Sequence, residues 1–355
     1  MSQKPQSKVA LVAGASGIVG SQLVKTLLQN AWQVIGLSRS GTDRHGAVPF
    51  VKVDLLDEKD SARALTPLSN VTHIFYSAWL NAANWQEMVE PNVTLLRNLV
   101  TQVEKVAPLE TVSLMQGYKI YGAHLGPFKT PARENDAAIP GAEFNTAQQA
   151  WLSDFQRNKT WNWHALRPGV VGSALPGNTM NLALSIAIYA SLCKAQSLPL
   201  RFPGSQTAWH SIVDHTDDGL LSAATLWAST APAARNQAFN VNNGDIWRWS
   251  ELWPVIAGWF ELEMAPPVQL SFQQLFSDYR KTWQALAEKT LLVEPDIMKL
   301  SNGQFADFVF SWDYDMFGDG SKLRRAGFTG FRATDEMFIR LFTQFRTAKI
   351  IPWQM

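Results

Sequence analysis

A short apolar run, Lys8-Val-Ala-Leu-Val-Ala13, leads directly into Gly14-Ala-Ser-Gly-Ile-Val-Gly20. The next segment, Ser21 to Asn30, carries Leu23, Val24, Leu27 and Leu28 at helical spacing. Strand, glycine turn and amphipathic helix in this order open a βαβ unit, which commits the chain to a parallel sheet with helices on its faces. The three glycines have separate tasks. Gly14 allows the tight turn, Gly17 lets a pyrophosphate approach the backbone, and Gly20 lets the helix close on the strand, while the helix N-terminus supplies free N–H groups. The turn therefore predicts dinucleotide binding.

The rhythm continues through the first half. Gln33 to Leu37, Phe50 to Val53, Thr72 to Tyr76, Glu110 to Met115 and Trp163 to Leu166 read as strands, with helical patterns such as Asn92 to Val100 between them. From about Pro176, tryptophan, proline and long helical patterns such as Asp217 to Ala228 and Ser250 to Phe260 take over. We expect a Rossmann-type doubly wound α/β domain over residues 1–175 and a smaller, mainly helical substrate-binding domain over 176–355. Segments around 205–245, above all the strand-like Ala238 to Val241, should return to the main sheet. A ligand site is expected at the carboxyl edge of the strands, under this helical cover.

Composition removes several alternatives. Thirty-one basic against 30 acidic residues give a net charge of +1, too little clustered charge for a nucleic-acid surface. A single cysteine excludes a disulfide framework and suits a reducing cytoplasm. The short polar N-terminus lacks the pattern of a signal peptide. The greasiest stretch, Asn181 to Cys193, falls short of the ~20 residues of a bilayer span, so no membrane contact is expected. His210 and His215 flank Asp214, but their spacing does not stack them on one helix face, and no metal is expected. A Gly-x-Ser-x-Gly elbow is missing, which argues against a serine hydrolase, and Asp313, Asp315 and Asp319 lack the loop pattern of a calcium site. Helices on an open sheet leave a homodimer open.

The second strand selects the dinucleotide. NAD sites usually place a carboxylate at its end, on the ribose 2′-hydroxyl. Here the end reads Leu37-Ser38-Arg39-Ser40, and an arginine there suits a 2′-phosphate, with Ser38 and Ser40 as helpers. The expected cofactor is NADP(H).

The turn spacing, with Arg167-Pro-Gly169 at the end of the sixth strand, resembles the extended short-chain dehydrogenase/reductase superfamily. Ile74-Phe-Tyr-Ser-Ala-Trp79, Gly117-Tyr-Lys-Ile-Tyr-Gly122, Met180-Asn181, Leu200 to Gly204 and Ala238 to Asp245 narrow the resemblance to the progesterone 5β-reductase and iridoid synthase-like enone reductases, from about residue 8 to Pro352. The resemblance implies NADPH-dependent hydride delivery to the β-carbon of a small apolar enone, with a tyrosine hydroxyl and a nearby lysine stabilising the enolate oxygen. It places Lys119 on the family lysine, Ser16, Gly17 and Ile18 on the turn contacts, Arg39 on the 2′-phosphate, and Asp54 and Leu55 beside the adenine. Ala78, Met115, Val171 and Asn178-Thr179-Met180 match further cofactor-side positions. Their neighbours Val19, Trp79, Gln116 and Pro168 are expected on the same wall.

The chain departs from the family at the tyrosine. Anchoring Phe144 and Gln148 on the family's Phe-Tyr-Tyr run puts Asn145 and Thr146 where two tyrosines stand, the second of them catalytic. None of the six tyrosines precedes a lysine by four residues either. Three outcomes follow: Thr146 or Asn145 donates to the enolate, Tyr118 or Tyr121 beside Lys119 supplies the phenol, or the site binds NADP without turnover as a sensor or scaffold. Another extended short-chain chemistry, such as epimerisation or dehydration, suffers more from the missing tyrosine. Of the 15 tryptophans, most are expected in core, nine of them beyond residue 200. Trp79 is expected to line the site.

Overall fold

The computed structural model describes residues 8–41, 48–136, 143–178 and 180–353. The chain forms two compact units. The first comprises Met1–Pro168, Gly219–Val241 and Asp319–Gly330, and the second Gly169–Asp218, Asn242–Gly318 and Phe331–Met355.

The first unit is a seven-stranded, wholly parallel sheet. Its strands are β1 (Val9–Ala13), β2 (Gln33–Ser38), β3 (Phe50–Lys52), β4 (His73–Tyr76), β5 (Thr111–Met115), β6 (Asn162–Pro168) and β7 (Gln237–Val241). Their spatial order, β7-β6-β5-β4-β1-β2-β3, reverses direction at β1, which places a topological switch point beside the glycine turn. Every residue of β1 and β4 is buried, as expected of central strands covered on both faces. The covering helices are α1 (Ile18–Gln29), α2 (Glu58–Leu65), α3 (Val89–Val106) and α4 (Phe144–Gln156). One face packs Leu11, Ile74, Leu96, Leu99, Val112 and Leu152 into a single apolar cluster, and the other packs Val12, Leu23, Leu27 and Phe75.

The expected return of the chain to the sheet is observed, in parallel register from Gln237 opposite His164 to Val241 opposite Pro168. The first stretch of the first unit runs to Pro168, and Val170–Gly172 pairs with His215–Asp217 and not with the sheet. A second returning segment was not evident in the sequence: Lys322, on the helix Ser321–Arg325, donates to the Ala238 carbonyl at 2.9 Å.

The second unit is mainly helical. The helix α5 (Leu182–Ala195) is buried at every position from Leu182 to Cys193, so the greasiest stretch of the sequence is a core helix. No helix among the described residues is long and apolar enough to cross a membrane. Around Phe202 gather Trp209, Trp249, Trp253 and Phe310, with ring centroids 5.2–5.7 Å away. His215 sits between the Trp249 and Phe338 rings, where burial pushes its pKa down to about 4 and keeps it neutral. That environment gives its imidazole a packing role.

Candidate active site

The glycine turn is built to the tolerance of single atoms. Gly14 has φ +83°, a left-handed conformation that favours glycine, and a Cβ there would lie 2.8 Å from Ser77. A Cβ on Gly20 would fall 2.1 Å from the Gly14 carbonyl oxygen, so α1 could not seat on the turn with any side chain there. Gly17 differs: its Cβ would meet only the Gly14 oxygen, at 3.4 Å. The space beside Gly17 thus belongs to none of the protein's own packing. Gly17 caps α1 without a side-chain acceptor, and the first turn holds no acidic residue, so the N–H groups of Ile18, Val19 and Gly20 head a helix with an uncompensated positive end. Ser16 is half-buried on the same turn. This donor set fits a pyrophosphate.

At the end of β2, Arg39 is exposed and makes no hydrogen bond or ion pair among the described residues. The Ser38 and Ser40 hydroxyls lie 3.3 Å apart, and Ser38 Oγ accepts from the Gly41 N–H at 2.9 Å, which folds the strand end into a small polar turn. Asp54 stands exposed beyond β3, its carboxylate accepting from the Leu56 N–H at 3.0 Å, while Leu55 turns into the core. Ala78 and Trp79 continue β4 past the turn, and Trp79 remains 40% exposed, a large ring left at the carboxyl edge of the sheet. Met115 ends β5 with Gln116 directly after it, and Pro168 ends β6. Val171, Asn178 and Met180 belong to the second unit, and Thr179 lies outside the described residues.

After β5 the chain tightens into a 3₁₀ turn, Tyr118–Tyr121, closed by Gly122 at φ +83°. A buried network fixes this turn. Arg167 donates to Gln116 Oε1 at 3.0 Å, Tyr121 Oη at 2.8 Å, Gln149 Oε1 at 2.9 Å and the Glu134 carbonyl at 3.1 Å. Tyr121 in turn donates its hydroxyl proton to Asn240 Oδ1 at 2.6 Å. Burial pushes the Tyr121 pKa up to about 12, against the pull of Arg167. In this arrangement the one hydroxyl proton of Tyr121 is given to Asn240.

The Asn145 carboxamide is likewise held by a neighbouring side chain. Glu143 caps α4, accepting from the Asn145 N–H at 2.8 Å and the Thr146 N–H at 3.3 Å, and its other oxygen takes the Asn145 carboxamide at 2.6 Å. Asn145 is 5% exposed, with its backbone carbonyl receiving Gln116 Nε2 at 3.0 Å. The Thr146 hydroxyl, by contrast, is buried and hydrogen-bonds to nothing among the described residues. A buried hydroxyl without a partner costs on the order of 1–3 kcal/mol, a cost a ligand oxygen would relieve.

Lys119 rides on the 3₁₀ turn with its ammonium 4.2 Å from the centre of the Trp85 ring. Its ammonium makes no hydrogen bond to the described residues, while its backbone carbonyl accepts from the Gly122 N–H at 2.9 Å. Burial lowers its pKa, and the nearby Glu143 carboxylate opposes that shift. Glu143 itself is 4% exposed, and burial pushes its pKa up to about 7 in spite of its hydrogen bonds and Lys119. Sequence reasoning missed both Trp85 and Glu143. An acidic residue directly before Phe144 was a readable helix-capping signal, whereas nothing local marked Trp85.

Comparison with known proteins places this geometry in a family. The model of the PRISE-like Rossmann-fold domain matches residues 53–352. The chain belongs to the PRISE-like Rossmann-fold family. Among its relatives, 3-oxo-Δ(4,5)-steroid 5-β-reductase of Arabidopsis thaliana is 30% identical, over 97% of this chain and 93% of that protein. The (S)-8-oxocitronellyl enol synthase of Antirrhinum majus is 31% identical with the same coverage. UDP-glucose 4-epimerase of Thermus thermophilus, solved in complex with NAD, shares the fold: the TM-score is 0.66 at 20% identity, over 96% of this chain and 99% of that one. The family match covers the strands and helices from β4 through β7, and within it the N-terminus of α4 carries Asn145 and Thr146.

Proposed function

We propose that the protein is an NADPH-dependent oxidoreductase that reduces the carbon–carbon double bond of a small apolar enone, at a site that works without the family tyrosine. The reading is carried by Thr146: its hydroxyl is buried and unpartnered among the described residues, at the position where the resemblance implies the catalytic tyrosine, beside an Asn145 carboxamide that is given to Glu143. The relatives support the reaction class, since those named above are a steroid 5-β-reductase and an enol synthase.

The turn Gly14 to Gly20 would hold the pyrophosphate, Arg39 with Ser38 and Ser40 the 2′-phosphate, and Asp54 and Leu55 the adenine side. When bound, NADPH supplies the hydride. Lys119 contributes a positive potential where a carbonyl oxygen gains charge, at a location shielded from solvent by the Trp85 face. Thr146 donates a hydrogen bond to the same developing oxyanion, and the Tyr121–Arg167–Asn240 network holds the lysine-bearing turn in place. The cofactor-side roles of Val171, Asn178, Thr179 and Met180 belong to this proposal.

The test is NADPH consumption with a panel of enones such as cyclohexenone, beside a Lys119→Met variant. We expect enone-dependent oxidation that falls in the variant. Tight NADPH binding with no turnover of any enone would instead support a cofactor-binding protein without catalysis.

A further inference from the structure

The Glu143 carboxyl has no place in the family's tyrosine-and-lysine scheme, yet it is among the most buried acids of the first unit. Its surroundings are specific. The two backbone N–H groups of Asn145 and Thr146 and the Asn145 carboxamide converge on it, at 2.8, 3.3 and 2.6 Å. The charged side chain acting on it is Lys119, on the 3₁₀ turn packed against α4. The two do not form a contact ion pair within 4.0 Å among the described residues, while the turn that bears Lys119 packs directly against the helix that Glu143 caps. Around Lys119 the remaining neighbours are the neutral Trp85 face, the titratable His124 packed edge-on against that ring at 4.7 Å, and Tyr118 and Tyr121 of its own turn. From α3, the Asn92 carbonyl accepts from Gln148 of α4 at 2.8 Å, and the charged Glu104 lies at the far end of α4, paired with Lys159.

We propose that Glu143 is a positioning residue of the active site: its buried carboxylate, when ionised, is the counter-charge of Lys119, and by tying up the Asn145 carboxamide it leaves the Thr146 hydroxyl as the donor toward an anionic oxygen. The first task follows from location. A lysine losing hydration by burial surrenders its proton more easily, and an anion nearby restores the charged form. The second follows from hydrogen-bond arithmetic, because the amide hydrogen given to Glu143 is withdrawn from any ligand. The two tasks together compensate for the lost tyrosine, and they rest on the reductase reading above.

The experiment substitutes Glu143→Gln, which keeps an oxygen to cap α4 and removes the charge. Protein labelled with ¹³C at lysine Cε reports the protonation of Lys119 directly, the resonance being assigned through Lys119→Met. We expect the Lys119 midpoint to fall by about one pH unit or more in Glu143→Gln, with the alkaline limb of kcat/KM for NADPH-dependent enone reduction moving down by the same amount. Glu143→Asp, which retains the charge, should keep the wild-type midpoint. If Glu143→Gln does not fold, the wild-type Lys119 resonance must itself show a second inflection at about pH 7, as Glu143 ionises. An unmoved midpoint in a folded Glu143→Gln variant, or a wild-type resonance without that inflection, overturns the proposal. Absence of enone turnover in the wild type, with the lysine midpoint still shifted in the variant, overturns the reductase reading instead.

Discussion

Two alanine substitutions three residues apart should separate folding from cofactor binding. In Gly20→Ala the new Cβ lies 2.1 Å from the Gly14 oxygen, 2.7 Å from its carbonyl carbon and 2.9 Å from the Ala15 Cα. All three are backbone atoms, so α1 must move off the turn by about an ångström, an overpacking that costs about 1–3 kcal/mol. In Gly17→Ala the Cβ meets one atom at 3.4 Å, and φ is −82°, a value any residue adopts. The folded protein has room for that methyl group, and a pyrophosphate seated against Gly17 does not. Thermal unfolding should therefore show Gly20→Ala lowered by on the order of 2–4 °C and Gly17→Ala close to wild type. Calorimetric titration with NADPH should show both weakened by at least about tenfold, equivalent to ~1.4 kcal/mol. A Gly17→Ala protein that keeps the wild-type Tm and binds NADPH with unchanged affinity would refute the argument, because the open space beside Gly17 would then have no ligand to admit.

Substitutions at three further residues test other parts of the site. Arg39→Ala removes charge-assisted hydrogen bonds worth about 1.5–3 kcal/mol to a 2′-phosphate, so the Kd for NADPH should rise roughly 10- to 150-fold while that for NADH barely changes; equal effects on both would remove Arg39 from the phosphate site. Thr146→Val should lower kcat for enone reduction by about 10², while Thr146→Ser preserves most of it and Thr146→Tyr raises it, all read from NADPH consumption. Tyr121→Phe leaves Arg167 and Asn240 short of a buried partner and should cost about 1–3 kcal/mol in denaturant unfolding with kcat nearly unchanged; a collapse of kcat in a stable variant would return the phenol to the chemistry.

The sheet was legible because its signals are local. The apolar run of β1, the glycine turn and the leucine spacing of α1 each specify their element without help from distant residues, and all three fold as expected. The end of the first unit was less so, since Val170–Gly172 has strand character either way and only its partner, His215–Asp217, assigns it to the second unit. The candidate donors show where sequence reading stops. Tyr118 and Tyr121 flank Lys119 in sequence and looked equally able to replace the missing phenol. What sets Tyr121 apart is its hydrogen bond to Asn240, which reaches it only because β7 returns beside β6. Asn145 and Thr146 are adjacent, and the hydrogen bond of one to Glu143 separates their roles. The tryptophans divide in the same way: Trp249, Trp253 and Trp283 are fully buried, as composition suggested, whereas the one under the lysine, Trp85, had no marker in the sequence.

The central claim, a reductase acting at an enone β-carbon without the family tyrosine, is tested most directly by isotope transfer. Wild-type protein is incubated with cyclohexenone and NADPH carrying deuterium at the transferable C4 position, and the product is analysed by mass spectrometry and ²H NMR. The account predicts saturated ketone with one deuterium at the β-carbon, and a yield that falls sharply in Lys119→Met and Thr146→Val. Deuterium at the carbonyl carbon of an allylic alcohol, or NADPH binding with no deuterated product, would contradict it.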